Sequence, residues 1–139
     1  MASIQPAPLL KFAFAADAAV SGAVALLQLL FPDDLSRLLV LPRMLLVESG
    51  IFLVAYALML AILARSRSIP RALVLFIVVG NAGWAAGCAL LLAWTGPSAL
   101  GIGFVLSQAV TVLLFAGLQL AGLKASATAP ARTGDAQSA

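Results

Sequence analysis

The stretch ALVLFIVVGNAGWAAGCALLLAW, residues 72–94, decides the fold. It contains no Asp, Glu, Lys, Arg or His, and it ends at the turn Thr95-Gly96-Pro97-Ser98. A helix that crosses a bilayer needs ~20 mostly apolar residues at 1.5 Å rise each. Three further stretches satisfy the same condition: Leu9 to Phe31, Met44 to Ala64 and Ala99 to Leu123. Charged residues make up 9% of the chain, against roughly 25% in soluble domains. Mean hydropathy is +1.13. This is the composition of an integral membrane protein.

The connections between these stretches are short, so successive helices are expected to lie antiparallel and adjacent. The sequence therefore predicts an all-α polytopic membrane protein. Residues 1–124 form an up-down bundle of four transmembrane helices, and residues 125–139 form a disordered cytoplasmic tail rich in Ala, Ser and Thr. Between helices 1 and 2, the segment from Asp33 to Leu41 carries its charges at one end and its leucines at the other. It predicts a short interfacial helix, capped by Asp33 or Asp34, with an Asp33–Arg37 pair one turn apart. Pro42 closes it.

Basic residues fix the expected orientation. Lys11, Arg65, Arg67, Arg71, Lys124 and Arg132 fall on the side of the termini, and only Arg37 and Arg43 fall on the other. The excess of positive charge predicts cytoplasmic N- and C-termini. The N-terminal run lacks a basic leader and carries Asp17 inside it, so it reads as an uncleaved first helix rather than a signal peptide.

Composition also removes several chemistries. There is no His, and Cys88 is the single cysteine. Haem, copper, Cys-rich zinc, iron–sulfur and His-based catalytic sites lose their usual ligands. The net charge of +3 sits where a membrane protein places it, so nucleic acid is not an expected partner, and no metal or cofactor is expected.

What chemistry remains lies in the polar residues at depth, because ionisable groups inside a span cost ~2.5–3.5 kcal/mol on insertion scales. Asp17 and Glu48 qualify. Asn81 and Gln108 each lie near the midplane, where Asp17 could join them, and Trp84 sits too deep for an interfacial tryptophan. Its indole N–H needs a partner, and Asn81 is the nearest candidate. Asp17, Ser21, Ala25 and Gln28 repeat at helical spacing and should point inward. So should Gln108, Thr111, Phe115 and Gln119. Glu48 is expected at a different depth from Asp17, near Gln28 and within reach of Arg43. Small residues at Gly83 and Gly87, and at Gly103 and Ser107, form faces suited to close helix contact within the bundle, with a second copy or with another membrane protein.

These features resemble a family of small, largely uncharacterised four-span inner-membrane proteins of proteobacteria. The resemblance rests on Asp17 in the first span, Leu41-Pro42 before the second, Asn81-x-x-Trp84 in the third, and Gln108-Ala109 with Gly122-Leu123 in the fourth. It implies a bacterial inner (plasma) membrane location and assigns no site roles. Small multidrug resistance transporters share a layout of four spans with a carboxylate in the first and a tryptophan in the third. Their surrounding residues differ, and the charge bias of this chain conflicts with dual-topology insertion.

Two functions follow as expectations. The first is a non-enzymatic membrane protein, an accessory, assembly or structural component acting by helix–helix contact, with Asp17 as interhelical glue. The alternative is a small proton- or cation-coupled transporter, working as a homo-oligomer, with Asp17 as the coupling carboxylate. A catalytic set is not visible, since no base accompanies Ser107, Asp17 or Glu48.

Overall fold

Prolines start the first two helices, at positions where the missing N–H would have had no helical partner. The computed structural model describes residues 2–128. In chain order these are β1 (Ser3–Gln5), α1 (Pro8–Leu30), α2 (Pro32–Leu39), α3 (Arg43–Arg65), β2 (Ile69–Pro70), α4 (Arg71–Trp94), α5 (Ala99–Ala125) and β3 (Ala127–Thr128). The fold is all-α, with four helices long and apolar enough to cross a membrane. Their ends lie within one or two residues of the expected spans.

The helices do not pack as a closed ring of sequence neighbours. α1 packs along α3 on one side and α5 on the other, and α5 packs along α4. The order across the bundle is α3, α1, α5, α4. Although a short connection joins α3 to α4, the two do not pack closely along their lengths. Their side chains share one buried cluster near that connection, where Leu60, Leu63, Val74 and Ile77 meet Leu10 and Phe14, and farther along they meet through Tyr56 and Asn81 and through Phe52 and Trp84. Elsewhere a seam separates them. The expectation that successive helices are adjacent fails at this pair: a short loop fixes proximity at one end of two helices and leaves the other end to side-chain packing.

Close approach of α1 to α5 depends on Gly122. A Cβ there would lie 2.7 Å from the Cα of Leu10, closer than side chains tolerate. Lacking one, the two backbones touch. Gly50 lets α3 approach α1 in the same way, with Leu29 and Gln28 against it.

Each end of the bundle is closed differently. At the terminal end, β1 pairs antiparallel with β2 and with β3, Ile4 standing opposite both Ile69 and Thr128. Ile4 and Ile69 are buried and plug the cluster beneath. The sequence reading has no strand here, because segments of two or three residues carry no periodicity. Disorder expected for residues 125–139 therefore does not hold at its start: Ala125 ends α5 and Ala127–Thr128 form β3. Residues 129–139 lie outside the described residues.

At the other end, α2 lays Leu35 and Leu39 onto α3 and α5 and exposes Asp33, Asp34 and Arg37, the amphipathic arrangement expected of it. The ion pairs differ from expectation. Arg37 pairs with Asp34, and Arg43 reaches back to Asp33 at 2.6 Å. Ser98 joins this end together: its hydroxyl caps α5 at Gly101 N and donates to the Leu38 carbonyl of α2. Val40, which ends α2, takes a left-handed backbone with φ 53°.

Candidate functional site

Four helices contribute one polar layer in the half of the bundle nearer the termini. Asp17 (α1) is 1% exposed. Its Oδ1 accepts from Ser21 at 3.0 Å. Its Oδ2 accepts from Gln119 Nε2 (α5) at 2.9 Å and lies 3.0 Å from the Tyr56 hydroxyl (α3). The Tyr56 hydroxyl also lies 3.0 Å from Asn81 Oδ1 (α4), and Asn81 Nδ2 donates to Gln119 Oε1 at 3.1 Å. Asp17, Tyr56, Asn81 and Gln119 thus form a closed ring of four contacts.

Counting hydrogens gives the ring its chemistry. Tyr56 brings one hydroxyl hydrogen, and each amide presents its oxygen to one neighbour and its nitrogen to the other, so each brings one. Three hydrogens serve four contacts, whichever way the amides are turned. The ring closes when the Asp17 carboxyl supplies the fourth: Asp17 donates to Tyr56, Tyr56 to Asn81, Asn81 to Gln119, and Gln119 back to Asp17. An unpaired oxygen–oxygen contact in this low-dielectric setting is costly, so the geometry fits a neutral Asp17.

A second layer lies three turns away. Eleven residues separate Asp17 from Gln28 on α1, and eleven separate Gln108 from Gln119 on α5. In antiparallel helices equal spacing keeps the relative level, and three turns keep the face. Gln28 and Gln108 are therefore to the second layer what Asp17 and Gln119 are to the first. Ser49 (α3) donates to Gln28 Oε1 at 3.1 Å, and the Trp84 indole (α4) donates to Gln108 Oε1 at 3.3 Å.

Both layers border the seam. A cavity of about 490 Å³ opens between α3 and α4 beside the first layer, lined by Asp17, Tyr56, Asn81 and Thr111 among apolar neighbours. Another of about 590 Å³ opens beside the second, lined by Gln28, Gly83, Gly87, Cys88 and Phe104. Trp84 and Gln108 wall both cavities. The Phe52 ring stacks on Trp84 with centroids 5.7 Å apart, so an aromatic bridge crosses the seam between them. Such volumes fall in the range of small-molecule sites.

Of the expected site residues, Asp17 and Asn81 meet in one network, through Tyr56 and Gln119. Gln108 does not join them. It belongs to the second layer, where it, and not Asn81, takes the Trp84 N–H. Glu48 stands apart: it is exposed on α3, lines neither cavity and pairs with no described residue, while Arg43 pairs with Asp33. Gly83 and Gly87 touch no neighbouring helix, and no atom lies within 4 Å of where a Cβ would stand. Instead of drawing helices together they widen the seam. Gly103 and Ser107 are likewise exposed on α5. Tyr56 is absent from the residues that the sequence marks, and Gln119 is expected only to face inward, not to reach Asp17. Tyr56 is the single tyrosine and falls mid-span, which was its signal; Gln119 shares the Gln108 face at helical spacing.

Among the described residues, no group of three His, Cys, Asp or Glu side chains could hold a metal ion. Compared with family models, with curated proteins and with solved structures, the chain matches none.

Proposed function

We propose that the chain is a non-enzymatic accessory or assembly component of a bacterial inner membrane, with both termini in the cytoplasm, that works by taking an apolar partner from the bilayer into the α3/α4 seam. One contrast carries the reading. Asp17, the most polar group at depth, is 1% exposed and fully engaged by residues of its own bundle, whereas the seam beside it is lined by bare glycine. The first layer is glue, and the seam is the working surface. Lipid cannot provide a hydrophobic force to close such a seam, so an apolar occupant fits it without displacing water.

The cavity that Asp17 lines favours a second reading: a proton- or cation-coupled transporter, homo-oligomeric because four helices enclose little lumen, with Asp17 as coupling carboxylate. Reconstitution decides between them. Proteoliposomes holding the chain, loaded with a pH-sensitive dye and given a pH gradient and membrane potential, are expected to take up protons no faster than empty liposomes. The Asp17→Asn variant is expected to stay folded, because an uncharged amide of the same shape keeps a hydrogen-bonding group beside Tyr56 and Gln119. Proton or cation uptake that Asp17→Asn abolishes would establish the transporter and overturn the accessory role.

A further inference from the structure

The two layers differ in what they leave over. In the first, every ring atom is used. In the second, Ser49 and Trp84 occupy the oxygens of Gln28 and Gln108, and neither amide nitrogen donates to any described residue. The Trp84 indole can only donate, which fixes the Gln108 orientation and turns its NH₂ toward the cavity walls it forms. Gln28 is 2% exposed and lines only the 590 Å³ cavity. No sealed side-chain polar atom among the described residues lacks a partner, and the end of the Gln28 amide that Ser49 leaves free, its nitrogen when the Ser49 hydroxyl donates, borders that cavity. An amide left without an acceptor in an apolar site is unfavourable.

We propose that this cavity binds an uncharged, bilayer-soluble carbonyl compound of the quinone type, whose oxygen accepts from the Gln28 and Gln108 amides. The inference rests on the seam being the working surface. Donors without acceptors select an oxygen acceptor and give a cation nothing to bind. Depth selects the molecule that carries it. Gln108 lies four residues from the centre of α5, about 6 Å at 1.5 Å per residue. Glycerolipid ester groups lie at the edge of a hydrocarbon core ~30 Å thick; they come level with Gln28, nine residues from the centre of α1, and fall short of Gln108. A quinone head dissolved in the core does reach it. Trp84 and Phe104 line the same cavity, and aromatic neighbours suit a planar ring.

The test uses the full chain in lipid nanodiscs with Trp94→Phe, leaving Trp84 as the single tryptophan. Decyl-para-benzoquinone is titrated while Trp84 fluorescence is read, and the carbonyl-¹³C form of the same probe is followed by isotope-edited infrared spectroscopy. Saturable quenching is expected, with a bound carbonyl band shifted down by hydrogen bonding. Gln28→Met and Gln108→Met should each weaken binding about fivefold, the worth of one hydrogen bond. Decylbenzene, which has no carbonyl, should compete poorly, and so should a fatty-acid methyl ester. Equal binding of decylbenzene, or no change in either Met variant, would overturn the carbonyl assignment and leave the seam reading standing. Tighter binding of the ester would replace the quinone with a lipid ester. If no probe saturates and the seam-filling Gly87→Leu changes nothing, both the inference and the seam reading fall.

Discussion

The half of the bundle nearer the termini and the half nearer α2 are built from the same helices, yet one is finished and the other is not. In the first, three short strands plug an apolar cluster and five polar side chains satisfy one another. In the second, glycines line an open seam and two amides keep unused hydrogens. In lipid, apolar burial does not separate good packing from poor, since hydrocarbon solvates leucine as well as a neighbouring helix does. Backbone contact and hydrogen-bond satisfaction remain to hold helices together. Hydrogen-bond satisfaction is concentrated in the half nearer the termini, whereas close backbone approach occurs in both halves, at Gly122 there and at Gly50 and Gly101 nearer α2; the division that remains is between a satisfied polar layer and one with hydrogens to spare.

The division is exposed most sharply by adding bulk to glycine in each half. Gly122→Leu would force α5 away from Leu10, where a Cβ alone would come within 2.7 Å of the Leu10 backbone. A destabilisation of about 3 kcal/mol is expected, the upper end of overpacking costs. Gly83→Leu meets nothing within 4 Å of its new Cβ, and a change within ~0.5 kcal/mol is expected. Detergent-induced unfolding of the two variants, read by circular dichroism, checks this. Equal losses would mean that the seam closes in the bilayer.

A smaller effect separates the polar layers. Gln119→Leu leaves the Asp17 carboxyl short of a donor and Asn81 Nδ2 without an acceptor, and a loss of about 2 kcal/mol is expected for groups stranded in a buried network. Gln28→Leu removes an amide already half unused, leaving only the Ser49 hydroxyl to turn to the Leu46 carbonyl, 3.3 Å away. About 0.6 kcal/mol is expected, the mean for interhelical bonds in membranes. The same unfolding assay ranks them, and a larger loss from Gln28→Leu would mean that the second layer is structural.

Most of the fold was legible because span length and charge placement are set by the bilayer, not by long-range contacts. All four long helices and α2 follow from local pattern, although Asp33 and Asp34 pair with Arg43 and Arg37 instead of capping α2. The polar stripe Asp17, Ser21, Ala25 and Gln28 is buried as the periodicity requires. What pattern does not contain is which helix stands beside which. Asn81 and Gln108 both fall near the midplane, but only the order α3, α1, α5, α4 reveals that Asn81 meets Gln119 while Gln108 meets Trp84. Gly83 and Gly87 meet no other helix of their own bundle, which leaves contact with a second copy or another membrane protein as it stood. A glycine stripe shows that something approaches or that space is kept, and sequence does not distinguish the two. The small sheet was illegible for a different reason: its strands pair Ile4 with Ile69 and Thr128, contacts that exist only after the helices have brought three distant segments to one end.

The one expected gain in stability lies in the half nearer α2, at Val40. Its φ of 53° places a β-branched residue in the left-handed region, at a cost of about 1–2 kcal/mol. The strain is held by its surroundings. Its own N–H, like that of Leu41, reaches the Ser36 carbonyl, and the Ser36 hydroxyl donates to the Leu41 carbonyl at 2.7 Å. Val40 is 56% exposed, so its side chain contributes little packing in return. Val40→Gly removes the steric cost and adds backbone freedom to the unfolded chain, which returns about 0.4–1 kcal/mol. A net gain of at most about 1.6 kcal/mol is expected. If the half nearer α2 is held less tightly because it must admit a ligand, relaxing this turn should raise stability and leave decyl-para-benzoquinone binding unchanged. A stabilised variant that also binds the quinone more weakly would show that the strained turn helps hold the cavity open.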